Sequence, residues 1–211
     1  MFNVVISLLI VYSLYTSYKE LSKDSSLLKY VYFSRPLDYL WAFLLVIFVS
    51  TSCFFAFNIN LPSFMTWSWT SIFSDDSSGG NLIAMPFRSK SIVIVTTFWF
   101  LLSLALPHMA KSEEKMFRSL TLSTKHRIIS SIKFGLVHMT VGVPLYIALI
   151  LSVVGYILSI FYVKSFLKNV KIDAETADEK AINVSTSVHA KYNFLLITIG
   201  ATLTTLLLVF S

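Results

Sequence analysis

Six stretches of this chain carry almost no charge over lengths near the roughly 20 residues that a helix needs to cross about 30 Å of hydrocarbon. They are residues 2–18, 38–57, 91–107, 129–142, 144–163 and 188–210. Inside a bilayer the backbone must satisfy its own hydrogen bonds, and continuous rather than alternating apolar runs do so as helices. The expected fold is therefore all-α: a polytopic transmembrane helical bundle of about six spans. Composition agrees, since 55% of the side chains are hydrophobic and 13% are charged, against about 25% charged in soluble domains. The fourth stretch is too short to span comfortably, and Gly142 and Pro144 separate it from the fifth, which suits a tilted or partly inserted helix. The first run lacks a basic segment before it and a small-residue cleavage site, so it reads as a retained span.

The formal net charge is +6. In a soluble protein that excess would raise the question of nucleic acid, but here the cations lie between apolar runs, where they set topology. Lys19, Lys23, Lys29 and Arg35 follow the first run; Lys111, Lys115, Arg118, Lys125 and Arg127 follow the third; Lys164, Lys168, Lys171 and Lys180 follow the fifth. The positive-inside rule places these three segments in the cytoplasm. The N-terminus and the loop holding Trp67, Trp69, Asp75 and Asp76 then face outward, with Arg88 and Lys90 against the trend. Cys53 is the single cysteine; it permits neither an intramolecular disulfide nor a cysteine metal cluster. Asn183-Val184-Ser185 fits a glycosylation sequon but falls in an expected cytoplasmic loop. Gly142, Gly155 and Gly200 are candidates for close helix approach.

Charged and imidazole groups near membrane depth are costly, so each is a functional candidate. Three clusters stand out. In Glu113-Glu114-Lys115-Met116-Phe117-Arg118, Glu114 and Arg118 are four apart and can pair on a helix, leaving Glu113 about 100° away to face a site. The cluster lies just after Pro107, which is expected to end the third span; a structural alternative is that Ser112 caps a new helix and the glutamates complement its macrodipole. The second cluster is Phe134-Gly135-Leu136-Val137-His138, with Phe134 and His138 on one helical face. The third is His189-Ala190-Lys191-Tyr192-Asn193, in which His189 and Asn193 share a face at the start of the last span. Packing or an interhelical polar contact explains either one alone. His108 reads as an interfacial polar residue and His126 as part of a solvated basic loop.

Together, and in this order, the patterns EExxxR, FxxxH and HxxxN resemble the signature of the CAAX-protease and bacteriocin-processing family of intramembrane endopeptidases. Phe117-Arg118 and Ala190 keep further family positions, whereas Ser119 departs from the glycine common after the arginine. The resemblance covers about residues 104–211, which would form a protease core with a four-helix catalytic centre. Residues 1–103, with the N-terminal spans and outer loop, match nothing specific.

The resemblance implies a peptidase site recessed in the membrane and open to the cytoplasm. Glu113 would activate water with help from His138, while His189 and Asn193 would stabilise the oxyanion. Glu114, Arg118 and Phe134 would support them. A divalent metal such as zinc could be held by Glu113, His138 and His189, yet the i,i+4 histidine pair of soluble zinc peptidases is absent, and the reading leans to metal-free chemistry. The partners implied are a membrane-proximal or lipid-modified peptide and the bilayer, without nucleic acid. The compact chain suits a bacterial plasma membrane. Two other functions compete: a catalytically silent immunity or maturation protein, and a small transporter with Glu113, His138 and His189 as a proton relay.

Overall fold

A computed structural model describes residues 2–23, 25–70, 86–87 and 89–210. The turn cluster with Asp75 and Asp76, and Arg88, lie outside the described residues. Among the described residues all regular structure is helical: α1 Phe2–Lys23, α2 Ser26–Phe33, α3 Leu37–Asn58, α4 Ser63–Thr66, α5 Ile92–Arg118, α6 Thr124–Val137, a 3-10 turn at His138–Val141, α7 Leu145–Asn169 and α8 Ala177–Phe210. Four of these, α3, α5, α7 and α8, are long and apolar enough to cross a membrane. Their apolar faces point outward: Phe43, Leu44, Ile47, Phe54, Val93, Phe100, Leu203 and Leu207 are all exposed. Such surface is stable against hydrocarbon and far larger than a soluble monomer displays. The remaining two expected spans differ from these four. Helix α1 has 22 residues, whereas α6 has 14, about 21 Å at 1.5 Å per residue, short of the hydrocarbon thickness.

Both helices that carry the acidic and C-terminal histidine clusters are longer than hydropathy suggests. Pro107 does not end the third span, because α5 runs through it to Arg118. A proline inside a helix leaves the carbonyl four residues earlier without its N–H partner. That carbonyl belongs to Ser103, and the Tyr32 hydroxyl donates to it at 2.6 Å, so α2 supplies the bond that the ring removes. Ser112 is accordingly no N-cap; it lies inside α5, its hydroxyl donating back to the His108 carbonyl at 3.0 Å. The glutamates then stand near a helix C-terminus, where the macrodipole disfavours them, so the dipole does not explain their presence. Helix α8 likewise starts at Ala177 rather than near 188 and runs for 34 residues. Asn183 is therefore helical and not in a loop. The α7–α8 connection is confined to residues 170–176, where the Thr176 hydroxyl bonded to Asp173 holds that carboxyl below its usual range.

Helix α8 is central, packing against α2, α3, α5 and α7, while α6 lies along α7. The α6–α7 seam is close because Gly135 has no side chain: a Cβ there would stand 2.1 Å from the Ala148 carbonyl oxygen. Gly155 on α7 gives room for the Phe134 ring, whose Cδ1 would be 2.7 Å from an added Cβ. Gly200 fails the expectation of close approach, since a Cβ there would meet nothing within 4 Å. The buried core includes Leu45, Val46, Phe117, Phe134, Val154, Leu158, Val188 and Tyr192.

The bundle's two ends differ in chemistry. At one, Ser119 donates to Asp178 at 2.8 Å, and the Leu120 amide donates to the Tyr162 hydroxyl at 2.9 Å and to Asp178 at 3.3 Å. Tyr162 itself bonds Asp178. Leu120 has φ 55°, a left-handed conformation unfavourable for a γ-branched residue, and these bonds hold it. Lys111 pairs with Glu179 at 2.6 Å on the same side. At the other end, Gly142 closes the 3-10 turn in the left-handed region with φ 88°, its carbonyl accepts from Ser68 at 2.7 Å, and Trp69 donates to the Met139 carbonyl at 2.6 Å. The expected break between the fourth and fifth stretches is thus a built turn, latched by the segment after α4.

Candidate functional site

The last two turns of α5 and the middle of α8 face each other, and their polar side chains meet. His189 lies between the two glutamates. Its Nδ1 is 2.9 Å from Glu114 Oε1, and its Nε2 is 3.7 Å from Glu113 Oε2. Since a carboxylate can only accept, Nδ1 carries the proton toward Glu114, which fixes the imidazole's tautomer and orientation. Its other nitrogen is then directed at Glu113. Glu114 is held from behind by Arg118, with Nε 3.6 Å from Oε2, the i,i+4 pairing that the spacing predicts. Glu114 and Arg118 are 0% exposed and His189 is 1% exposed, whereas the Glu113 side chain retains 33%. One carboxylate is therefore locked in a buried ion pair, and its neighbour remains accessible.

Phe134 organises the other side. The Arg118 guanidinium lies 4.8 Å from its ring centroid, a cation–π distance. The same ring makes edge contacts with Phe117 at 5.6 Å, His138 at 4.9 Å and His189 at 5.4 Å. Helix α6 is placed for this by the Ser123 cap, which accepts from the His126 amide at 3.3 Å, and by Ser130, which donates to the Phe117 carbonyl. An alanine at position 155 would put its Cβ 3.2 Å from Arg118 Nη2 as well as against Phe134, so this glycine makes room for the stack.

The expected residues are brought together unequally. Glu113, Glu114, Arg118, Phe134 and His189 form one contiguous cluster. His138 joins it only through the Phe134 ring; its Nδ1 donates to the Phe134 carbonyl at 2.7 Å, leaving Nε2 as the nitrogen available to a ligand. No hydrogen bond or ion pair joins His138 to Glu113 in this geometry, and the histidine that faces Glu113 is His189. Asn193 lies one turn beyond His189 on α8 and is half-buried. His108 is half-buried and His126 is exposed. As for the zinc set of Glu113, His138 and His189, no three His, Cys, Asp or Glu side chains among the described residues stand in ligand geometry. In this conformation the donors do not fit a shared ion.

Several supporting residues escape the motif patterns. Lys191 is 0% exposed; its Nζ donates to the Arg35 carbonyl at 2.5 Å and to Ser187 at 3.1 Å, stands 3.9 Å from Asp38 Oδ2, and lies 4.7 Å from the Tyr39 ring centroid. It ties the face of α8 opposite His189 to the start of α3, fixing the helix's rotation. Asp178 and Tyr162 fix its axial position against α5. The intramembrane lysine itself was the available signal; nothing in the sequence pairs it with Asp38, 153 positions away by simple subtraction of residue numbers. No family model matches the chain, and no curated protein or solved structure matches it.

Proposed function

We propose that this protein is an intramembrane endopeptidase of the CAAX-protease and bacteriocin-processing type. The observation that carries the reading is the placement of His189 between Glu113 and Glu114, which joins two of the three sequence patterns in one buried site. Phe134 contributes the third through ring contact with His189. Glu113 is the more exposed carboxylate and acts as general base on a water that attacks the scissile carbonyl. Glu113 passes the water's proton to His189 Nε2, and the resulting imidazolium, held by Glu114 through Nδ1–H as a histidine is held by an acid in hydrolytic triads, donates from Nε2 to the oxyanion and then protonates the leaving amine, returning to the neutral ring. His138 Nε2 and the Asn193 amide add polar contacts to the tetrahedral intermediate. The substrate is a membrane-proximal or lipid-modified peptide, and the site opens to the cytoplasmic side of a bacterial plasma membrane.

The test is cleavage of a candidate peptide library by the purified protein in liposomes. Wild type cuts a member of the library, and His189→Ala reduces the rate by at least 10²-fold, the order expected for loss of a positioned acid–base group. Elemental analysis together with chelator treatment decides the metal question: activity restored only by added zinc would replace the water-activation scheme by a metal-assisted one. The Glu113–His189–Glu114 series also favours a second reading, a proton relay in a small transporter. Proton flux in proteoliposomes without any peptide cleavage would establish that alternative, and neither activity would leave the silent immunity or maturation role.

A further inference from the structure

On the face of α7 and α8 turned away from Glu113, the α2–α3 link meets the end of α7 and the start of α8 around a cavity of about 450 Å³. Its polar lining includes Arg35, Lys164, Lys168, Lys180 and Tyr30, and no carboxylate lines it. Two of these cations are already engaged: Arg35 Nε is 2.7 Å from Asp38 Oδ2, and Lys180 Nζ is 3.4 Å from Asp173 Oδ2. Lys164 and Lys168 sit four apart on α7, on one helical face, and neither pairs with a carboxylate among the described residues. Four cations less the two engaged acids leave two positive charges, which match a phosphate group of one to two negative charges. Burial pushes the Tyr30 phenol up, so it stays a neutral donor.

The rim supplies the rest. Phe161 lines the cavity and packs edge-on against Trp41 at 5.5 Å. Trp41 is 48% exposed, and beside it Leu37 and Leu40 are exposed at the start of α3. An anion held by Lys164 and Lys168 therefore stands next to a strip of aromatic and aliphatic surface that continues down a membrane-crossing helix. Free phosphate has no use for such a strip, but acyl chains do; basic pockets between transmembrane helices are also known headgroup sites. We propose that this pocket binds the phosphate-bearing headgroup of an anionic lipid, with the acyl chains lying along Trp41 and α3. The site is separate from the Glu113–His189 cluster and does not depend on peptidase activity.

Native mass spectrometry of the detergent-purified protein tests it, titrating with phosphatidic acid and, in a separate arm, phosphatidylcholine. Wild type retains one phosphatidic acid in preference to phosphatidylcholine. The Lys164→Gln/Lys168→Gln double variant, which keeps a polar side chain and removes the charge, weakens that binding at least tenfold, and Lys164→Arg/Lys168→Arg restores it to within threefold. Lys125→Ala/Lys133→Ala, which removes two exposed cations from α6, leaves it within twofold. Equal weakening by the α6 variant would mean diffuse charge attraction and overturn the site. Displacement of the lipid by millimolar inorganic phosphate would assign the pocket to free phosphate instead. Equal retention of the two lipids by wild type would also overturn the proposal, as would full binding by the glutamine variant. If the glutamine variant fails to fold, single Lys164→Gln and Lys168→Gln variants carry the same prediction at about threefold each.

Discussion

The two halves of α8 are built on opposite rules. From Ala177 to Tyr192 the helix is rich in Ser, Thr, His and Lys, yet Ser185, Thr186, Ser187, His189 and Lys191 are all buried. Toward Phe210 it carries no charge and is mainly aliphatic, with threonines as its chief polar residues, and Leu203, Leu206, Leu207 and Val209 are exposed. In water this arrangement would be inside out. Against hydrocarbon it is coherent: the aliphatic half faces lipid, and the polar half is buried where α2, α3, α5 and α7 can satisfy it. Helix α5 repeats the division, apolar before Pro107 and charged after it, and the candidate site forms where the two polar halves meet. The candidate site is concentrated in the segments whose composition is least like a membrane span.

Four substitutions break or sharpen this comparison, each read by equilibrium unfolding in mixed micelles. Glu114→Leu leaves Arg118 buried without its partner and costs about 3–5 kcal/mol, the usual price of an orphaned buried charge. Leu203→Lys places an ammonium on the lipid-facing half and costs about 2.5 kcal/mol, unless the side chain reaches the interface. Tyr162→Phe removes one of the two acceptors of the strained Leu120 amide and costs about 1 kcal/mol, loosening the tie between α5 and the polar half of α8. Leu206→Ala leaves lipid packed against a smaller residue and costs less than about 0.5 kcal/mol, as surface substitutions do. A cost for Leu206→Ala as large as that of Glu114→Leu would show that the aliphatic half is buried against protein after all.

The same division explains what could be read from the sequence. Helices α3 and α7 are apolar nearly throughout, and their positions follow from hydropathy to within a few residues except at the end of α7. The polar halves of α5 and α8 imitate loops, so Pro107 reads as a stop and α8 reads as starting at residue 188 rather than Ala177. What rescues α5 is non-local: the Tyr32 hydroxyl, 71 positions from Ser103, occupies the carbonyl that Pro107 leaves open. The Glu114–Arg118 pair was legible because it is an i,i+4 contact within one helix. The pairing of Glu113 with His189 rather than His138 was not, because it depends on how α5 is rotated against α8 and α6 against α7. That rotation is set by contacts with no sequence signature, including Lys191 on Asp38, Asp178 on Leu120, and the room that Gly155 leaves for Phe134.

Peptide cleavage by Glu113→Gln and Glu114→Gln, measured side by side in liposomes after both are shown to fold, tests the central claim most directly. Glu113→Gln is expected to abolish turnover with little loss of stability, whereas Glu114→Gln lowers both stability and rate and retains measurable cleavage. Full turnover by Glu113→Gln would contradict it.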